Sequence, residues 1–229
     1  MPMTGHPRPK LIYVAQAPGG VSQSHFTARW RQHAARGMRQ ARWRNVAVYL
    51  HCDPLPVELQ CDPALATAGI AVVQYQSEAN RLAHIADEAA RQTMKADELL
   101  TFAKPVARTA LLLTEHILKA GSIDGYRLFV FWQASAPDFA ACWLAHGQYR
   151  SAELLRDERI TFAAQNAPAL PRDLRLEGLD CDGIDEFAST DLAVLRALAH
   201  DWLARSEVPG RAQFVLTRTV VLHDLPSSS

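Results

Sequence analysis

The sequence predicts an α+β fold made of tandem ferredoxin-like βαββαβ units in one chain, closing on each other as an intramolecular version of an α+β barrel dimer. Three observations predict it. The spacing Ser-x3-Phe-x3-Trp-x2-His occurs twice, as Ser22, Phe26, Trp30, His33 and as Ser135, Phe139, Trp143, His146. Around each copy the apolar pattern switches between strand and helix in one order: β, α, β, β, α, β. A single unit of this kind carries both helices on one sheet face, so its other apolar face needs a cover that a second copy supplies.

Residues 11–17 (LIYVAQA) form the first strand and end at the turn signal Pro18-Gly19-Gly20. Ser22 caps a helix over 23–37, with Phe26, Trp30 and His33 on one face. Strands follow at 46–52 (VAVYLHC) and 69–76 (GIAVVQYQ), joined by a proline-containing loop over 53–68. A long helix over 77–102 is stopped by Pro105, and 107–118 closes the unit as its fourth strand. The linker 119–125 (KAGSIDG) separates a first domain, 10–120, from a second, 125–225. In the second, 127–133 is a strand, and Ser135 caps a helix with Pro137 in its first turn. Strands at 160–166 and 183–188, a helix over 190–206 and a last strand over 213–222 complete the order.

The composition is that of a soluble globular chain: 229 residues, 48% hydrophobic and 21% charged. Lys+Arg and Asp+Glu are equal at 24 each, which gives no global reason to expect nucleic acid or an anionic membrane. No apolar run reaches the ~18–20 residues that cross a bilayer, and the proline-rich start (MPMTGHPRPK) has no leader-like apolar stretch, so the expected location is the cytoplasm. Cys52, Cys61, Cys142 and Cys181 show no CxxC spacing and read as free thiols, with no metal site expected.

The opening strand and turn, Phe-x3-Trp-x2-His and the later Gly-Ile strand before a long helix resemble the EthD family of the dimeric α+β barrel superfamily. Gln165-Asn166-Ala167-Pro168 is similar to that family's Gln-Asn-His segment with the histidine replaced, while Tyr49-Leu50-His51 keeps the histidine. Aligned so, Ala167 takes the place equivalent to His51. Asp182-Gly183-Ile184 matches the family's entry to the third strand, and the first half has Ala68-Gly69-Ile70 there. The resemblance implies small-molecule metabolism, such as xenobiotic degradation or polyketide tailoring. It also implies ligands held between sheet and helices; wider relatives include cofactor-free monooxygenases, cyclases, isomerases and haem enzymes.

His33 and His146 are candidate catalytic groups because an imidazole on a mostly apolar face titrates near neutrality. Trp30 and Trp143 would wall a pocket for a flat ligand. His51 would pair with His33 as an acid/base couple. With His33 as the proton carrier, Trp30 and Tyr49 would form the pocket and His51 or Gln74 would orient the substrate, while Gln165 and Asn166 would bind a carbonyl in the second half. Other polar strand residues are Gln16, Gln133, Glu115, Asp185 and Arg218. Each of these has a structural alternative, a hydrogen bond that completes the fold or a face turned to solvent. The arginines 29, 31, 36, 39, 42 and 44 read as a solvated helix face, and Asp180, Asp182, Asp185 and Glu186 as an exposed acidic loop. The functional expectation is an acid/base enzyme (dehydratase, cyclase, isomerase or oxygenase) with no cofactor, acting on a small hydrophobic aromatic or polyketide-like compound. The alternative is a non-catalytic ligand-binding or accessory protein. A haem protein with His33 or His146 as axial ligand is a third reading. The fused pair is expected as a monomer or homodimer.

Overall fold

The computed structural model describes residues 8–55, 67–175, 178–204 and 208–225. The chain runs β1 (Lys10–Ala15), α1 (Gln23–Met38), β2 (Val46–Pro54), β3 (Gly69–Tyr75), α2 (Glu78–Ala86), α3 (Glu88–Leu99) and β4 (Ala110–Lys119). It continues with β5 (Tyr126–Ala134), α4 (Phe139–Arg156), β6 (Ile160–Pro168), β7 (Gly183–Ser189), α5 (Leu192–Ala204) and β8 (Gly210–Asp224).

The eight strands close into an antiparallel barrel in the order β1-β3-β2-β8-β5-β7-β6-β4. The first half therefore contributes β4-β1-β3-β2 and the second β8-β5-β7-β6, the same internal order. The halves join edge to edge, where stacking of sheet on sheet was expected. The last strand of each half makes the seam by changing partners along its length. β8 pairs with β5 from Gly210 to Arg218 and with β2 from Thr217 to Asp224. β4 pairs with β1 up to Leu113 and with β6 from Leu113 onward. Closure removes every open edge and turns one face of each strand into a shared interior.

Alternation along the strands then sorts the side chains. Ile12, Val14, Leu50, Ile70, Val72, Leu111, Leu113, Phe129, Phe131, Ile184 and Val215 pack together inside the barrel. The outward residues of the first half, among them Tyr13, Tyr49 and Val73, pack with Phe26, Trp30 and Ala34 of α1. Those of the second half, Leu128, Val130, Trp132, Phe187 and Leu216, pack with α4 and α5 through Trp143, Leu195 and Trp202.

Ser22 caps α1 as expected, accepting from the His25 N–H at 3.4 Å. Three other expectations are corrected. The helix over 77–102 is two helices, because Asp87 leaves helical geometry at ψ 85° and its carboxylate accepts from the Ala90 N–H to start α3. The fourth strand begins at Ala110, after a 3-10 turn over Val106–Arg108 that follows Pro105. Ser135 does not cap α4: its N–H is taken by the Pro209 carbonyl at 3.0 Å, and the helix starts after Asp138. Most of the loop after β2, including Cys61, and the end of the helix expected over 190–206 lie outside the described residues.

Trp30 and Trp143 explain two glycines. A Cβ on Gly69 would collide with the Trp30 indole, and one on Gly183 would sit 3.0 Å from that of Trp143. Each indole lies across the first residue of the third strand in its half, so only a residue without a side chain lets helix and sheet approach this closely.

Candidate functional site

Register between the strands places the polar residues. His51 is paired with Ala71 of β3, and Gln165 with Asp185 of β7. Ala71 and Asp185 are each the third residue of their strand, so Gln165, not Ala167, occupies the place of His51. The sequence alignment through Gln-Asn was offset by two, which keeps the face but changes the partner.

In the first half, Trp30 lies flat on His51 with ring centroids 3.6 Å apart. His51 Nε2 is 2.6 Å from Tyr49 Oη, and its Nδ1 meets the Arg31 guanidinium. An arginine only donates, so Nδ1 accepts and Nε2–H donates to Tyr49. Tyr49 Oη lies 3.3 Å from Tyr13 Oη, which accepts from Trp30 Nε1 at 3.1 Å. A chain of hydrogen bonds thus runs from Arg31 through His51 and Tyr49 to Tyr13. His51 and Trp30 are fully buried, whereas the Arg31 side chain is 23% exposed and holds Asp53 at 2.6 Å. Burial and the adjacent Arg31 charge hold His51 well below the ordinary histidine value, so it is neutral at pH 7. Burial pushes the Tyr49 phenol well up.

His33 is not hydrogen-bonded to His51. Its Nδ1 is 2.6 Å from Asp97 Oδ2 on α3, its ring stands edge-on to Phe102, and Arg29 and Arg36 also hold Asp97. Burial outweighs the pull of Asp97 and lowers the His33 pKa. The expected His33–His51 couple is therefore two separate pairs, His33–Asp97 between helices and His51–Tyr49 against the sheet. Three of the six arginines of the expected solvated face, Arg29, Arg31 and Arg36, are in ion pairs.

In the second half the focus is Asp185, which lies fully buried on β7. Trp132 and Trp202 donate their indole N–H to Oδ2 at 2.6 and 3.1 Å, and Trp143 donates to Oδ1 at 2.8 Å. Burial raises this carboxyl to about 6 despite the indole donors and Gln165. Asp185 and Glu186 are strand residues with no exposure, which corrects the reading of an exposed acidic loop; the carboxylates of Asp180 and Asp182 bond Arg172 in the segment before β7. Gln165 Nε2 donates to the Trp143 carbonyl at 2.8 Å. His146 is set apart, edge-on to Trp202 and lining a groove of about 640 Å³ with Cys142, Tyr149 and Arg150.

The remaining expected residues, Gln74 and Asn166, face the barrel interior. There Lys10 bridges Glu115 at 2.6 Å and Glu186, Arg127 pairs with Glu186, Gln74 donates to Glu115 at 3.0 Å, and Asn166 donates to Glu186 at 3.2 Å. Glu115 faces inward, while its neighbour in the strand, His116, is exposed. The nine expected site residues thus divide among a first-half chain (Trp30, Tyr49, His51), a helix pair (His33), a second-half cage (Trp143, Gln165), a groove (His146) and the barrel interior (Gln74, Asn166). Sequence reasoning missed Tyr13, Arg31, Asp97 and the role of Asp185. An acidic residue inside the apolar run GIDEFA was the one visible signal. Among the described residues no three His, Cys, Asp or Glu cluster as a metal site. His33 has Nδ1 held by Asp97 and stands edge-on to Phe102, and His146 stands edge-on to Trp202.

No protein-family model matches the chain, and no curated protein does. Solved structures match it at low identity. A protein from Fusobacterium nucleatum subsp. nucleatum, provisionally described as a monooxygenase, gives a TM-score of 0.63 at 10% identity over 98% of this chain and 99% of that one. An anthrone oxidase-like protein gives 0.62 at 10% identity over 99% and 98%. A provisionally described chlorite dismutase gives 0.58 at 8% identity over 94% and 96%. The chain shares the fold of these proteins, which does not by itself specify a reaction. Among the described residues no helix is long and apolar enough to cross a membrane.

Proposed function

We propose that the chain is an EthD-like enzyme of small-molecule metabolism. It acts by acid/base catalysis without an organic cofactor on a hydrophobic aromatic or polyketide-like compound. The two halves, 10–120 and 125–225, are read as copies of one ferredoxin-like unit, supported by their shared strand order and by the Trp-over-glycine contact in each. The first half carries the reaction and the second supports it.

The observation that carries this reading is His51, a neutral buried imidazole stacked on Trp30 and hydrogen-bonded to the Tyr49 phenol. A neutral imidazole whose Nε2–H is held by a phenol keeps its Nδ1 lone pair as the place to take up a proton, and the low dielectric of the site strengthens its hydrogen bonds. Trp30, Tyr49 and Tyr13 give it aromatic walls that suit a flat substrate. In this scheme Tyr49 and His51 hold and move the proton, while His33 acts on the helix packing through Asp97.

The test is turnover of a panel of phenols, anthrones and β-polyketones, followed by mass spectrometry, with His51→Ala and Tyr49→Phe beside the wild type. Loss of roughly 100-fold or more in kcat in both variants supports the reading. Turnover unchanged in His51→Ala sinks it, as does a panel with no substrate.

One observation favours the alternative of a non-catalytic ligand-binding or accessory protein. Both nitrogens of His51 and the Tyr49 hydroxyl are already engaged by protein groups. Binding of panel compounds without any turnover would select it.

A further inference from the structure

Arg31 closes the His51–Tyr49–Tyr13 chain at its outer end. Its guanidinium donates to His51 Nδ1 and to both oxygens of Asp53, at 2.8 and 2.6 Å, and lies over the Trp30 ring with Cζ 5.2 Å from the centroid. This has a chemical consequence. Nδ1 carries the only lone pair of a neutral imidazole whose Nε2 bears the proton. As long as Arg31 donates to it, that lone pair has no proton to take up. Arg31 is also the link of the chain that reaches solvent, since Trp30, Tyr13, Tyr49 and His51 are all buried.

We infer that Arg31 is a positioning residue that locks His51 in the Nε2–H form and releases Nδ1 as a base when an anionic oxygen of the substrate draws the guanidinium away. The substrate class that follows is a flat aromatic acid, a carboxylate or phenolate. The anion pairs with Arg31, and the ring takes the place of the guanidinium over Trp30. The inference rests on the functional reading above, but it is a claim about the state of one imidazole and is measured without turnover. The groups facing His51 are Arg31 and His33 of α1, Tyr49 and Asp53 of β2 and Trp30; of the charges among them, Arg31 is the cation and Asp53 its counter-ion.

The experiment is nitrogen-15 NMR of histidine-labelled full-length protein, following His51 Nδ1 and Nε2 against pH. Wild type shows one tautomer, with Nδ1 unprotonated through the neutral range. Arg31→Met frees Nδ1, so the His51 titration moves up toward the ordinary value of about 6.5; Arg31→Lys restores part of the lock. Asp53→Asn, which keeps Arg31 and removes its partly exposed counter-ion, leaves the guanidinium charge uncompensated and moves the titration the opposite way, further down. Adding 2-naphthoate to wild type shifts Nδ1 toward its position in Arg31→Met, and naphthalene does not. An unchanged titration in Arg31→Met overturns the proposal, and so does a naphthoate response absent or equal to that of naphthalene. Turnover lost in His51→Ala with the Nδ1 signal indifferent to Arg31 would leave the enzyme reading standing and remove this one.

Discussion

Gln165 stands in the second half where His51 stands in the first, each beside the tryptophan of the repeated motif. His51 lies under the face of Trp30, while Gln165 reaches the backbone carbonyl of Trp143. The indole N–H groups follow this difference. Trp30 donates to the Tyr13 phenol and Trp143 to the Asp185 carboxylate. One half surrounds an imidazole and two phenols, and the other surrounds a carboxylate with three indoles. A shared backbone plan has therefore been filled with two different polar sets, a buried imidazole with phenols in one half and a buried carboxyl raised to about 6 in the other.

The glycines beneath the two tryptophans give a graded prediction. Gly69→Ala forces the Trp30 indole to shift and costs about 1–3 kcal/mol, the usual range for overpacking a core. Gly183→Ala meets the Trp143 ring at 3.0 Å and costs less. Trp30→Phe in the Gly69→Ala background recovers part of the loss, because the smaller ring makes room. Urea unfolding of the four proteins checks the order, and equal costs at the two glycines would contradict the packing described.

Asp185 makes stability depend on pH in an unusual direction for a carboxylate. Unfolded, an aspartate loses its proton near pH 3.9; folded, this one does so at about 6. Between these values the folded state holds the extra proton, so its contribution is greatest at low pH and declines as pH rises from about 4 to about 6. Asp185→Asn removes that titration and also turns an amide N–H2 toward indole donors, costing about 1–3 kcal/mol through unmet hydrogen bonds. The stability gap between wild type and Asp185→Asn should be wider at pH 4.5 than at pH 7.5, by about 2 kcal/mol. Denaturant unfolding at both pH values reads it, and a gap that widens with rising pH is the contrary result.

Much of the architecture was legible because it depends on period and repetition. The four strands and first helix of each half lie close to where alternation and the Phe-Trp-His spacing place them. The break at Asp87 was hidden because an aspartate is tolerated inside a helix, and only its side-chain bond to Ala90 shows that it starts a new one. The split of the expected sites was hidden for a different reason. Whether His33 meets His51 or Asp97 depends on how α3 docks, and no spacing in the sequence reports that. Asp185 looked like part of an acidic run because Asp180, Asp182, Asp185 and Glu186 are close in sequence; strand pairing separates them.

The His33–Asp97 pair predicts a stability effect that is separate from catalysis. Asp97 is buried, but its bonds to Arg29 and His33 hold its carboxyl below the usual range. Its contribution is therefore complete above the unfolded value and is lost as pH falls through the lower folded one. Asp97→Asn costs about 1.5–3 kcal/mol at pH 7, the range for a hydrogen bond to a charged partner. On any confirmed substrate it leaves kcat within a few-fold of wild type. A loss of kcat as large as that of His51→Ala would return His33 to the catalytic group.

Lys10 is the link across the barrel interior between the two halves. It comes from β1, holds Glu115 of β4 and reaches Glu186 of β7, where Arg127 and Asn166 also bond. Burial lowers the Lys10 pKa, while its bond to Glu115 supports the charged form. Replacing it by methionine keeps an apolar stem of similar length and deletes the charge, with its contact to the Phe162 ring. Glu186 retains Arg127 and Asn166, but Glu115 is left with Gln74 alone. Breaking a buried ion pair in this way costs about 3–5 kcal/mol. Lys10→Met with Glu115→Gln removes both charges together and recovers a large part of that, because the neutral amide has no ion left to solvate. Chemical unfolding of the single and double variants measures the coupling. Additive losses would show that the ammonium and the carboxylate do not act as a pair.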